Sequence, residues 1–284
     1  METTANYTEE ESKAIAREYK ELLRISYQTL TDEDKKVIRL AFDTAVNAHK
    51  NQRRKSGEPY IFHPIAVAKI VAQRIGLDAV SIAAALLHDV VEDTEYTNED
   101  IEQLFGKTIA HIVAGLTKIS HLSRENDISL QAENFRKLLL TMNDDVRVIL
   151  IKIADRLHNM QTMDSMAEYK QTKIASETLY IYAPIAHRIG LYNIKTELED
   201  LALKYTDPER YFMILGKMEE SKEEQQSYID AFTKIVETSL NEQKIDYYIK
   251  GRPKSIYSIN KKMESQGVTF EEVYDKFAIR IIYK

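Results

Sequence analysis

ALLHDVVEDT, residues 85–94, starts as an apolar helix and then sets His88, Asp89, Glu92 and Asp93 within six positions. A buried helix avoids so many ionisable groups, because an unpaired buried charge is costly. The stretch leading into it, DAVSIAAALL (78–87), is nearly all apolar, so its helix belongs at the centre of a domain. Helix through DAVSIAAALLHDVV is the expectation, with the charged groups projecting from its end.

Upstream, RRKSGEPYIFHP (53–64) holds Ser, Gly and two Pro and reads as a loop. Pro64 can be the first helical residue of PIAVAKIVAQRI and Gly76 its stop. Further back, Thr31 can cap a helix through VIRLAFDTAVNAHK, and Ile15, Tyr19, Leu22, Leu23 and Ile25 give the first thirty residues an apolar helical face. Downstream, TNEDIEQLFG is a short helix with Thr97 as cap and Gly106 as stop, followed by helices in TIAHIVAGLTKI and NDDVRVILIKIADRLHNMQTM. Helical period continues through YKQTKIASETLYIYAPIAHRIG, where Pro184 predicts a kink or break, and then from residue 193 to about 240 in a charged stretch. Near residue 244 the character changes. KIDYYIKG and FAIRIIYK read as strands flanking a helix that begins near Pro253. Two strands in forty residues are too few for a stable α/β domain, so this part is expected to open a domain that continues elsewhere. The fold class is therefore mostly α: a helical domain over 1–195, a helical connection over 196–240, and the start of a mixed α/β domain over 241–284.

Composition narrows the function classes. Gly and Pro are scarce, at 8 and 5 in 284 residues, which disfavours a turn-rich β protein. The absence of Cys excludes disulfides and thiolate metal sites and is compatible with a reducing cytoplasm. The acidic N-terminus lacks the pattern of a secretion signal, and no apolar run reaches the roughly 18 residues of a membrane span. A net charge of −6 argues against broad nucleic-acid binding, and the scattered tyrosines offer no stacking platform. A local basic cluster, KNQRRK (50–55), could still hold a small anion.

The residue types around His88 suit a metal. His63, His88, Asp89 and Asp155 supply two imidazoles and two carboxylates, a set that fits Mn, Fe or Zn better than Ca. The competing reading is a packed histidine and a capped or salt-bridged aspartate. It weakens at Asp155, because Asp155, Asn159 and Thr162 fall at i, i+4 and i+7 on a helix otherwise rich in Ile, Leu and Val, as a stripe lining a cavity would. Glu92 and Asp93, one turn past His88, could take a proton from water or position it; a solvated helix end before a polar turn is the other reading.

HDVVEDT, preceded by RKSGEPYIFHP and followed by ADRLHNMQT, closely resembles the hydrolase domain of long RelA/SpoT homologues, bacterial enzymes that make and degrade the alarmone (p)ppGpp of the stringent response. GRPKSIYSINKKM and VYDKFAIRII resemble the opening of that family's synthetase domain, so the likeness runs in order along nearly the whole chain. The resemblance implies an HD-type phosphohydrolase domain at 1–195 and an incomplete synthetase domain at 241–284. It implies one Mn ion held by His63, His88, Asp89 and Asp155, with Glu92 and Asp93 activating water. Arg54, Lys55 and Ser56 would contact the guanine side of ppGpp or pppGpp, and Asn159 and Thr162 its sugar and phosphate region. The implied reaction is hydrolysis of the 3′-pyrophosphate to GDP or GTP and pyrophosphate, by a cytoplasmic enzyme.

Two positions depart from the family pattern: Gln161 where a basic residue is usual, and Asn51 where Gly is common. Arg252, Lys254 and Asp275 match synthetase residues that bind ATP phosphates and Mg, and Lys261 and Lys262 follow nearby; the family's second catalytic acid has no counterpart, so no synthesis is expected. The alternatives are an HD phosphohydrolase acting on other nucleotides, the regulatory half of a (p)ppGpp synthetase, and a nucleotide sensor without turnover. His49, His111, His121 and His187 are expected to be structural, and His158 to pack or hydrogen-bond rather than ligate.

Overall fold

The structure, a computed structural model, describes residues 7–26, 30–123, 144–243 and 246–283. The side chains of His121 and Arg252 lie outside the described set. The chain forms two compact units, Met1–Ala167 and Glu168–Lys284. Among the described residues no helix is long and apolar enough to cross a membrane.

Among its described residues the first unit is built of helices joined by loops. Helix α1 (Glu9–Ser26) buries Ile15, Tyr19 and Leu22, one face at helical spacing. Helix α2 (Asp32–Ala48) starts at Thr31, whose hydroxyl accepts the Asp34 N–H while Asp34 Oδ2 accepts the Thr31 N–H at 2.9 Å. That reciprocal cap satisfies two donors the helix cannot pair internally. The loop of residues 53–59 doubles back through Gly57, whose φ of +90° is open to glycine at little cost.

Helix α3 (Phe62–Lys69) begins two residues before the expected Pro64. Proline is tolerated there because the first turn of a helix has no partner for its N–H groups. A π-helical turn (Ile70–Ile75) extends α3 and ends at Gly76, in the left-handed conformation expected of a helix stop. Helix α4 (Ala79–Leu86) is capped by Asp78, which accepts the Ser81 N–H at 2.9 Å. Its Ile82, Ala83, Ala84, Ala85 and Leu86 are all buried, and it packs against α2 and α3. Burying Ile82 and Leu86 contributes about 1.5–3 kcal/mol each.

The helix expected to run on through DVV breaks instead. Leu87 and Asp89 leave helical geometry (φ −99°, ψ 1° and φ −102°, ψ −2°), and a single helical turn, α5 (Val90–Asp93), follows. His88 donates through Nδ1 to the Ala85 carbonyl at 2.8 Å, and the Val90 N–H reaches back only to Leu87. A side chain taking a carbonyl at i−3 competes with the backbone ladder, which accounts for the tightened turn. Helix α6 (Asn98–Ser123) bends at Gly106, φ +79°, where the sequence puts a stop. Its Gly115 lets helix α7 (Val146–Gln161, capped by Asp145) approach closely: a Cβ there would sit 2.9 Å from Val148 Cγ2.

In the second unit, α8 (Glu168–Glu177) leads through a π-helical turn (Thr178–Tyr182) into α9 (Ala183–Arg188). Pro184 produces no break, because the wider turn before it respaces the carbonyls that its ring would meet. Helices α10 (Tyr192–Thr206), α11 (Pro208–Glu220) and α12 (Lys222–Glu242) follow. Strand β1 (Tyr247–Pro253) pairs antiparallel with β2 (Phe277–Tyr283), and α13 (Ile256–Gln266) lies between them in sequence. Pro253 closes the strand rather than opening the helix, whose cap is Ser255. Leu203, Ile214, Ile259, Met263 and Phe270 belong to one buried apolar cluster of this unit.

Candidate metal centre

Three segments converge in the first unit. The first turn of α3 supplies His63, the break after α4 supplies His88 and Asp89, and the middle of α7 supplies Asp155. All four are buried. One ligand atom each from His63, His88 and Asp155 lies within 4.8 Å of the other two. Asp89 Oδ2 is 3.0 Å from His88 Nε2 and 3.7 Å from His63 Nε2, while Asp155 Oδ1 is 3.3 Å from His63 Nε2 and 3.9 Å from His88 Nε2. Two imidazole nitrogens and the Asp155 oxygen thus face one point, with the Asp89 carboxylate beside His88.

An outer ring holds these groups in place. The Tyr60 hydroxyl donates to Asp89 Oδ2 at 2.6 Å. Lys152 pairs with Asp155 Oδ2 at 2.9 Å, and Asn159 Nδ2 donates to Asp155 Oδ1 at 2.6 Å. His63 Nδ1 meets His158 Nδ1 at 2.7 Å, and Arg54 reaches both His158 Nδ1 (3.2 Å) and Asn159 Oδ1 (3.0 Å).

The charges are strongly perturbed. Burial works against a charge on His88, but Asp89 and then Asp155 outweigh it and hold its pKa up at about 9. Burial would raise both aspartates; for Asp89 the neighbouring His88, and for Asp155 Lys152 first and then His63, keep them well below the usual carboxylate range. His63 is pushed down by burial, and His158 is pushed down to about 3 by burial with His63 and Arg54 beside it. Burial and the Asp89 charge push the Tyr60 phenol far up. The site favours positive charge at the point where the four groups meet.

A divalent ion fits this donor set. With Nδ1 committed to the Ala85 carbonyl, His88 turns Nε2 inward, 3.0 Å from Asp89 Oδ2. Two buried imidazole nitrogens beside ionised carboxylates are a donor set that a borderline metal would complete by taking the place of a proton. His63, His88 and Asp155 therefore form a buried candidate metal site, with Asp89 at its edge.

The other expected site residues fall in different places. Arg54 and Asn159 adjoin the four, whereas Lys55 and Ser56 stand at the exposed tip of the basic loop. Thr162 ends α7, its hydroxyl donating to the His158 carbonyl at 2.8 Å. On α5, Glu92 is half-buried with its Oε2 out of solvent, and Asp93 is exposed, though its Oδ2 lies 3.5 Å from the Tyr60 hydroxyl that donates to Asp89. His49 is buried and meets Gln52 at 2.7 Å, and Gln52 donates to the Asp93 carbonyl at 2.6 Å, tying down that turn. In the second unit, Lys254 and Lys262 both pair with Asp275, whose pKa they draw down to about 2. Arg252 pairs through its backbone with Ala278. Sequence reasoning did not find Tyr60 or Lys152. The signal was a polar residue three positions before a candidate ligand, and for Lys152 a charge inside an apolar run.

A helical unit with this buried His–Asp cluster is an HD domain: the family of that description matches residues 41–192. The family described as a region found in RelA/SpoT proteins matches residues 251–284. The chain is 46% identical over 254 residues to the GTP pyrophosphokinase of Myxococcus xanthus, covering 88% of this chain and 33% of that protein. It is 46% identical over 243 residues to a probable guanosine-3′,5′-bis(diphosphate) 3′-pyrophosphohydrolase of Synechocystis, covering 85% and 32%. To the bifunctional (p)ppGpp synthase/hydrolase SpoT of Escherichia coli it is 45% identical over 256 residues, covering 90% and 36%. The chain belongs to the RelA/SpoT homologues, with an HD domain followed by the start of the RelA/SpoT region. It spans about a third of the length of these relatives.

Proposed function

We propose that this chain hydrolyses the 3′-pyrophosphate of ppGpp or pppGpp, releasing GDP or GTP and pyrophosphate, with one Mn ion in the His–Asp cluster. The observation that carries this reading is the buried group of His63, His88 and Asp155, with Asp89 3.0 Å from His88 and Arg54 reaching it through His158. Relatives with 3′-pyrophosphohydrolase in their names support the choice of substrate.

His63, His88, Asp89 and Asp155 would hold the ion, and Tyr60 and Lys152 orient the two carboxylates. An ion held there would supply charge to offset the phosphoryl oxygens and to acidify water. Glu92 and Asp93, on the turn that follows the ligands, accept the proton of the attacking water. The bond that breaks joins the ribose 3′ oxygen to phosphorus, and that oxygen leaves as a hydroxyl once protonated. Arg54, Lys55 and Ser56 face the guanine side; a guanidinium can stack on a base and offset phosphate charge together. Asn159 and Thr162 add neutral hydrogen bonds that set orientation.

The test is incubation of the purified chain with ppGpp and Mn, with and without a chelator, and separation of products by ion exchange. GDP and pyrophosphate formation, abolished by chelation and by Asp155→Asn, is expected. Persistence of ppGpp with Mn bound would overturn the reading in favour of a nucleotide sensor.

A further inference from the structure

The basic cluster KNQRRK holds two neighbouring arginines, and the fold sends them opposite ways. Arg53 stands at the base of the loop, its backbone bridged to Pro59. Successive residues of extended chain point to opposite faces. Arg54 turns inward, to His158 Nδ1 and Asn159 Oδ1 on α7. Arg53 turns to α1, where its two terminal nitrogens donate to the two carboxylate oxygens of Glu11 at 2.7 and 3.2 Å. One of them also donates to the Gly57 carbonyl at 3.0 Å, across the turn of its own loop.

Glu11 is itself fixed. Its Oε2 accepts the Thr8 N–H at 2.9 Å, and its own N–H donates to the Thr8 hydroxyl at 3.2 Å, a reciprocal cap at the start of α1. Further along, the buried Ile15, Tyr19 and Leu22 anchor α1. Arg53 first, and then the Thr8 N–H, hold the Glu11 carboxyl down at about 2, so it is ionised at neutral pH. A single ion pair at a surface contributes little, but a guanidinium bonded to both oxygens of one carboxylate is directional. This one also ties the loop to itself.

We infer that Glu11 is a positioning residue for nucleotide binding: with Arg53 it clamps the loop of residues 53–59 to α1, so that Arg54 already stands at the site when substrate arrives. Arg53 is not itself a nucleotide-binding cation, because its donors face Glu11 and Gly57. A loop ordered in advance loses less conformational freedom on binding. The inference rests on the proposed role of Arg54 as a substrate contact.

Glu11→Gln separates the clamp from plain charge, because the two predict opposite signs. ppGpp is a polyanion, so deleting a nearby carboxylate would by charge alone lower KM. Loss of the clamp raises it. Glutamine can still serve in the cap of α1, so the helix should persist. KM for ppGpp is expected to rise about two- to fivefold, with kcat within about twofold and Mn affinity unchanged. Arg53→Met should match it, and the double variant should be no worse than either single one, since all three remove the same interaction. In protein free of nucleotide and metal, the amides of residues 54–58 should exchange hydrogen faster in each variant. An unchanged or lowered KM in Glu11→Gln would overturn the inference. So would loop exchange equal to that of the unaltered chain, or additive losses in the double variant, which would put Arg53 on the nucleotide directly. Absence of turnover in the unaltered chain would count against the proposed reaction alone; the dissociation constant of ppGpp then replaces KM, with the same signs expected, and the loop exchange is read without substrate.

Discussion

Replacing Asp200 by asparagine should make the second unit more stable at neutral pH and change how its stability depends on pH. Asp200 lies on α10 and accepts the Tyr257 N–H at 2.8 Å, at the start of α13. The helix N-terminus favours a negative charge there, yet burial dominates and pushes the carboxyl up to about 6 from its ordinary 3.8. The folded chain therefore holds this proton more tightly than the unfolded chain does. Its contribution to stability is complete below about pH 4 and is lost as pH rises through about 6. At about 1.4 kcal/mol per pH unit, ionising Asp200 costs the fold about 3 kcal/mol by pH 7. Asparagine resembles the protonated acid: it keeps a carbonyl acceptor for the Tyr257 N–H and never bears the charge. A gain of about 3 kcal/mol at pH 7, shrinking towards nothing at pH 4, is expected for Asp200→Asn. More diagnostic is the difference between variant and parent, which should climb by about 3 kcal/mol between pH 4 and pH 7. Urea unfolding followed by far-UV ellipticity at each pH measures it. A difference that is flat with pH, or that falls, would refute the claim that burial outweighs the helix terminus at this carboxyl.

Two further outcomes follow from the packing of the first unit. Tyr60→Phe deletes the hydroxyl that holds Asp89 and keeps a ring against His49, 4.8 Å away, so the fold should persist while Mn affinity drops about 10- to 100-fold; undiminished affinity in a paramagnetic titration would remove Asp89 from the ligand set. Gly115→Ala would place its Cβ 2.9 Å from Val148, a buried β-branched side chain with one comfortable rotamer. Overpacking of about 1–3 kcal/mol then opposes a helix-propensity gain of about 1 kcal/mol. A lower melting temperature is expected, recovered when Val148 is also cut to Ala; a rise would show that α6 and α7 part at no cost.

Much of the site could be read along the chain because its parts are local. Thr31, Asp78 and Thr97 cap helices where a short oxygen-bearing side chain precedes an apolar repeat, and capping depends on neighbours three residues away. Gly76 and Gly106 mark ends and bends for an equally local reason, a positive φ. Asp155 and Asn159 share a helix face by spacing alone, and they do meet at 2.6 Å. The strands at either side of α13 follow from β-branched and aromatic clustering, although their antiparallel pairing does not.

What spacing did not reveal depended on competition between distant groups. The break after Leu86 arises in a sequence that favours continued helix; the His88 ring takes a carbonyl and the chain turns so that His88 and Asp89 are buried, with Asp93 at the far side of the Tyr60 hydroxyl. Tyr60 and Lys152 became part of the site because folding set them against Asp89 and Asp155, where a buried carboxylate needs a donor or a cation. The sequence by itself determined which residue types were available, two imidazoles, paired carboxylates and a basic loop, and which helices would bear them, since periodicity and capping act within a turn. Only the tertiary structure decided which nitrogen of each histidine faces the centre and how far each group titrates from its usual range. Those properties belong to hydrogen bonds and desolvation among residues up to 105 positions apart, which no local pattern encodes.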